Sequence, residues 1–354
     1  MSTLMEHKGA LLGVFFILLY FMWMDVALYY HIQGREPPQP SSEKPVYHSR
    51  SGLQGLFSPF NGLSIKMMMI DPANHYIHTP AATIFNEVTH FSSVFSFITP
   101  NMISVSHVFV AIIAVKFIAS DTLLMRQVGV LLFEFRSFLD CLDGVLARVR
   151  NKQESNISEF GSMGYVVDGV ADTLGSAALI IGCFLYLRRN QPSRRSMGKL
   201  SLASVESAIV GSSASSQRRI LTVLGCFSLQ LFISAFFWDR YISGYHQLLE
   251  NPQASEQQMV ELICLRILQN EVLKSALMWI IMWFWRIANA HALLEMVLFS
   301  IFINKLWEFL AFIQFIGFIC LFVLISLTEV HFHDVTNYIG KLALTSKLLS
   351  AQPT

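Results

Sequence analysis

Apolar runs about one membrane thick alternate with shorter polar stretches along most of the chain, and this pattern predicts an all-α polytopic membrane protein. The first run, 10–30, is interrupted only by Asp25. Its basic flank is thin, with Lys8 alone, and no small-residue cleavage site follows, so residues 1–31 read as an uncleaved N-terminal anchor rather than a signal peptide. Six further runs, at 102–120, 124–148, 164–187, 220–238, 272–302 and 305–329, predict a six-helix core spanning 99–330. The fifth is long enough to break between Arg286 and His291. Residues 32–98 have another character: a Pro/Ser-rich linker, GREPPQPSSEKP, precedes a mixture of Gly, Pro, His and Phe without a sustained helical period. This predicts a small extramembrane segment partly packed on the core, with His75 and His78 as surface histidines. A polar tail, 331–354, follows the core.

Composition agrees with the pattern. With 53% hydrophobic and 14% charged residues, the chain is no ordinary soluble domain, and a net charge of +1 argues against a nucleic-acid partner. Its five cysteines (141, 183, 226, 264, 320) are scattered and offer neither a disulfide framework nor zinc spacing; Cys141 reads as a small buried residue. Charge also orients the chain. The stretch between the third and fourth core runs carries seven basic residues (188, 189, 194, 195, 199, 218, 219) against Glu206, which predicts a cytoplasmic loop. Counting back three crossings then places 32–98 on the lumenal face, and a fourth puts the N-terminus in the cytosol. Residues 239–271 and 330–354 become lumenal by the same count, and the sequon Asn156-Ile157-Ser158 lies close to the membrane.

The chemistry is concentrated between residues 140 and 172. Asp140 and Asp143 are three apart and Asp168 and Asp172 are four apart, so each pair projects from a single helix face. Two such helices facing one another make a cage of four carboxylates. Anions so close repel, and each is expensive to bury in a bilayer, so the cage calls for a compensating cation. Oxygen donors without His or Cys favour Mg²⁺, Mn²⁺ or Ca²⁺ over Zn²⁺. The plainer reading is structural salt bridges, with Arg136 as a partner. Gly144 and Gly164 leave bare backbone where an anionic ligand can approach.

The series Asp140-x-x-Asp143-Gly144-x-x-Ala147-Arg148, then Gly164-x-x-x-Asp168-x-x-x-Asp172, resembles the signature of the CDP-alcohol phosphotransferase family. Pro100-Asn101-Met102-Ile103-Ser104 is similar to the Pro-Asn-x-x-Ser/Thr start of that family's first core helix. The resemblance covers roughly 99–330 and departs in one respect: the connector 149–163, at fifteen residues, is longer than usual. It implies a six-helix core in which Asp140, Asp143, Asp168 and Asp172 hold two ions, Mn²⁺ or Mg²⁺, against the donor's diphosphate. Asp172 is then the base toward the acceptor hydroxyl, and Asn101, Gly144, Ala147, Arg148 and Gly164 surround the nucleotide. Arg148 reads equally as a basic anchor at the membrane boundary, and Asn101 equally as an N-cap. Some relatives using aminoalcohol donors have a His directly after the third Asp, where this chain has Gly169; the base is then Asp172 or a residue from elsewhere.

A leading anchor that turns the site to the lumen further resembles the ceramide-directed members of the family. That resemblance implies transfer of phosphoethanolamine from CDP-ethanolamine to the primary hydroxyl of ceramide, with release of CMP, at the Golgi membrane with Mn²⁺. Homodimers are common in the family. Two other readings compete: the same chemistry on diacylglycerol at the cytosolic face, which protease protection of a tagged 31–98 loop separates, and a divalent-cation transporter. The transporter gives Gly144, Ala147 and Arg148 no purpose, and the chain shows no internal repeat. The remaining intramembrane polar groups, Glu134, Arg136, Arg286, Asn289, His291 and Glu295, are expected to pair mutually: Glu134 near Arg136, and His291 with Glu295. Trp279, Trp283 and Trp285 are expected on lipid or at the interface.

Overall fold

The computed structural model describes residues 2–34, 65–151, 163–190, 205–250 and 259–350, and among these it is helical with no strand. The sequon at Asn156 and the basic residues 194, 195 and 199 lie outside the described residues. Five helices are long and apolar enough to cross a membrane, or up to six when a bent pair is taken as one span. The helix carrying Asp140 and Asp143 is not among them, because its charges lower its hydropathy; at 29 residues it is nonetheless about 44 Å long, and we read it as a further crossing.

Helix α1, Ser2–Gln33, stands at the periphery with most of its described apolar side chains exposed, as a helix facing lipid would have them. Leu28 and Ile32 are buried against the core and Asp25 accepts a hydrogen bond from Tyr76, on one face at i, i+3 and i+7, with Tyr29 and Gln33 making further contacts beside them. Helix α5, Pro100–Ile118, begins where Thr99 caps it: the Thr99 hydroxyl accepts from the Met102 amide at 3.3 Å, and Pro100 occupies the first turn. Asn101 therefore sits exposed inside the first turn and is not the cap. Helix α6, Leu123–Asn151, packs closely along α5, and helix α7, Met163–Arg189, lies on its other side. The α5–α6 crossing is tight because residue 129 is glycine: a Cβ there would stand 2.8 Å from the backbone nitrogen of Ile118.

The segment before α5 departs from expectation. Its described part folds into α2 (Ile65–Met69), a π-helical turn (Asn74–His78), α3 (Thr79–Thr89) and α4 (Phe91–Val94), and packs on α6 and the helices behind it. Asp71, Asn74, His75 and His78 are buried, so the two histidines are interior residues. The buried groups cluster between residues 65 and 78, where short helical pieces follow one another without a single long period.

Helices also overrun the predicted runs. Helix α8, Val205–Leu249, absorbs the SSASSQRR stretch that read as loop, and after α9 (Met259–Lys274) the final helix α12, Leu306–Ser350, continues through most of the tail. The expected break is present: α10, Ala276–Ala288, and α11, Ala290–Phe302, meet at 45° around Asn289. Asn289 adopts an extended backbone there, and its side-chain oxygen accepts from the Ala292 amide at 2.8 Å, capping α11. The break aims the first turn of α11 at α7.

Candidate active site

The four aspartates converge. Asp140 and Asp143 on α6 face Asp168 and Asp172 on α7, and their oxygens fall into two groups that share Asp140. One contains Asp140, Asp143, Asp168 and His107; the other contains Asp140, Asp172 and His291; within each, the ligand atoms lie within 4.8 Å of one another. Asp143 is buried, the other three are half-buried, and one Asp168 oxygen is enclosed without a hydrogen-bond partner.

Neighbouring helices approach three of the four acids. Ser104, one turn into α5, places its hydroxyl 2.6 Å from Asp143 Oδ2, which explains the hydroxyl residue at that position. His107, one turn further, lies with its Nε2 3.6 Å from Asp140 Oδ1. Asp172 receives the buried Arg136 guanidinium on Oδ1 and faces His291 Nε2 at 3.7 Å from Oδ2. Gly175, one turn beyond Asp172, makes room for that guanidinium: a Cβ there would stand 2.9 Å from Arg136 Nε.

Several expected pairings are corrected by this arrangement. Arg136 serves Asp172 instead of Glu134 or Asp140, and His291 serves Asp172 instead of Glu295. Glu134 pairs with His78, at 3.2 Å, and both gather with Glu295. These partners lie far apart in sequence, so spacing along one helix gave no hint of them. The tryptophans form an internal seam instead of a lipid face: Trp285 is fully buried with its indole donating to Thr328, Trp283 donates to Asp25, and Trp279 meets Tyr29 edge-on.

Of the residues expected around a nucleotide, Gly144 and Arg148 sit together, since a Cβ on Gly144 would meet the Arg148 guanidinium at 3.5 Å. Ala147 is half-buried on the same helix. Asn101 and Gly164 are exposed in the first turns of α5 and α7. The donor set, clustered carboxylates with an orphaned Asp168 oxygen beside the imidazoles of His107 and His291, could hold a divalent cation. His107 was missed from sequence, and His291 was singled out but given the wrong partner. His107 stands in an apolar run, where a single histidine looks like any core residue.

Comparisons with known proteins place nearly the whole chain in one family. A family model described as ceramide phosphoethanolamine synthase matches residues 6–342. A curated relative, the ceramide phosphoethanolamine synthase of Drosophila melanogaster, is 40% identical over 306 residues, covering 85% of this chain and 76% of the relative. No solved structure matches. A match that begins in the anchor helix, runs through all four aspartates and ends in the last helix shows that the chain belongs to the ceramide phosphoethanolamine synthase family.

Proposed function

We propose that the chain transfers phosphoethanolamine from CDP-ethanolamine to the primary hydroxyl of ceramide, at a lumen-facing site of the Golgi membrane. The observation that carries this reading is the convergence of Asp140, Asp143, Asp168 and Asp172 into two groups sharing one carboxylate, in a chain of this family. The same four residues would hold two divalent ions, and Mn²⁺ is our reading of their identity. Bound ions supply Lewis-acid polarisation of the phosphoryl oxygens and charge compensation for the departing CMP.

The chain's own residues do the rest. The ceramide oxygen attacks the phosphorus that carries ethanolamine, the bond from that phosphorus to the CMP oxygen breaks, and the hydroxyl proton passes to a carboxylate. Asp172 takes that proton in our reading: Arg136 fixes one of its oxygens and the other faces His291, in a group with the shared Asp140. Arg148, folded over Gly144 one turn beyond the acids, is placed to pair with a donor phosphate through its planar fork. The basic stretch 188–219 supports the lumenal orientation through the positive-inside rule, and a homodimer is the assembly we expect.

The test uses purified protein in detergent with Mn²⁺, offered CDP-ethanolamine or CDP-choline together with ceramide or diacylglycerol. Product from the CDP-ethanolamine and ceramide pair alone is expected, with turnover lower by about 10²–10⁴-fold in Asp172→Ala. Product from diacylglycerol would replace the acceptor assignment, and absence of CMP in every combination would refute the transfer reading.

A second expectation concerns the support of Asp172. Gly175→Ala forces Arg136 off its position, and a shift of this kind at a reacting centre lowers turnover by about 10²-fold. The same assay reads it, and wild-type turnover in Gly175→Ala would show that Arg136 does not position Asp172.

A further inference from the structure

We propose that His107 is a direct ligand of the ion held by Asp140, Asp143 and Asp168, and that its imidazole gives this site its preference for Mn²⁺ over Mg²⁺. The inference deepens the proposed function and rests on it for the presence of an ion.

Three observations carry it. His107 has no exposed surface, yet neither ring nitrogen has a hydrogen-bond partner. Buried polar groups are almost always satisfied, and an orphaned imidazole inside a membrane core calls for something to bind it. Second, the ring is aimed at the acids. Its Nε2 lies 3.6 Å from Asp140 Oδ1, and its ligand atom lies within 4.8 Å of those of Asp140, Asp143 and Asp168. An octahedral ion with bonds of about 2.1 Å places its ligands about 3–4.2 Å apart, so the spacing is that of a shared ion before it closes on the metal.

The third observation is local. Ile103, Ser104, His107, Ala111, Ala114 and Ile118 form the buried face of α5, and only the two residues opposite the aspartates are polar. Ser104 already binds Asp143, so the polar part of this face serves the carboxylate site, and His107 is its remaining member.

The chemical consequence is selectivity. Mg²⁺ holds oxygen ligands and water tightly and accepts nitrogen poorly, whereas a transition ion such as Mn²⁺ accepts imidazole alongside carboxylates. Four aspartates alone would discriminate little between the two. One imidazole in the donor set tilts the site toward Mn²⁺.

The test needs no turnover. Mn²⁺ alone is titrated into the full-length protein in detergent, with binding followed by electron paramagnetic resonance and nitrogen coordination by its pulsed, nuclear-modulation form. Wild type is expected to show directly bound ¹⁴N, and the signal should persist in His291→Leu, where His107 is the imidazole left in the two groups. In His107→Leu the Mn²⁺ Kd should rise about tenfold or more while the Mg²⁺ Kd rises less, so the preference collapses. His107→Gln keeps a polar side chain with an oxygen donor, and should lose the preference while retaining Mg²⁺ binding.

Bound Mn²⁺ without nitrogen modulation, or modulation that vanishes in His291→Leu, would overturn the assignment. So would an unchanged ratio of the two constants in both His107 variants. Failure of wild type to bind Mn²⁺ at all would instead refute the parent reading of the carboxylates. If the His107 variants do not fold, the wild-type and His291→Leu spectra decide the question on their own.

Discussion

Asp140→Asn lowers CMP release by on the order of 10³-fold or more, the largest loss from any single aspartate. The reason is its place in both groups: Asp143 and Asp168 belong to one, and Asp172 to the other. If each group holds an ion, removing a charge from one group would weaken one ion's hold, and removing it from the shared carboxylate would weaken both. A metal's Lewis-acid contribution is several kcal/mol, and each 1.36 kcal/mol is tenfold in rate, which sets the expected scale. Asparagine keeps the volume and one oxygen, so the fold should be undisturbed and the loss chemical. Turnover at saturating Mn²⁺, measured beside the number of ions bound per chain, checks this. A smaller loss than in Asp143→Asn and Asp168→Asn would show that Asp140 is not shared.

The second large effect is on stability and lies at the anchor helix. Asp25 is the one charged residue of the first apolar run, and Arg286 is fully buried at the end of α10. The Arg286 Nη2 is 3.1 Å from Asp25 Oδ1, an ion pair without hydrogen-bond alignment. The Tyr76 hydroxyl donates to the same carboxylate at 2.7 Å and the Trp283 indole at 2.9 Å. Burial pushes the Tyr76 hydroxyl's pKa above its ordinary value, so it remains a donor. Arg286 also donates to the Met67 carbonyl at 3.0 Å, which ties α2 to α10.

Asp25→Ala leaves that guanidinium buried without a counter-charge, and breaking a buried pair from one side costs about 3–5 kcal/mol. The melting temperature in detergent should fall by on the order of 10 °C. The two-sided variant is the sharper measurement. Asp25→Leu combined with Arg286→Met replaces the pair by apolar side chains, and should melt closer to wild type than either single variant. A double variant that loses the sum of the two single losses would show that the residues act independently and that α1 is held by its apolar contacts.

How much of this was legible beforehand differs between parts of the molecule. The crossings were readable because each helix facing lipid must be apolar over a membrane's thickness, a local property of a continuous stretch. The four aspartates were readable because spacings of three and four place side chains on one face whatever surrounds the helix. The break in the fifth run was placed within a few residues, since polar residues cluster there; that Asn289 caps the second half needed the backbone geometry.

What stayed hidden was every partner contributed from a distant stretch. His107 and His291 each reach the acids from another helix; nothing local marks His107, and the i,i+4 spacing that suggested Glu295 for His291 pointed to the wrong partner. Arg136 lies four residues before Asp140, which suggested that partner, yet helix rotation and the space left by Gly175 carry it to Asp172. His78, in a segment with no helical period, meets Glu134 across fifty-six positions of chain. The sequence by itself determined the all-helical membrane class and which stretches are apolar enough to cross, and it announced a carboxylate cage. Only the tertiary structure decided which imidazoles and which arginine complete that cage, because helix rotation and crossing are set by packing between faces remote in sequence.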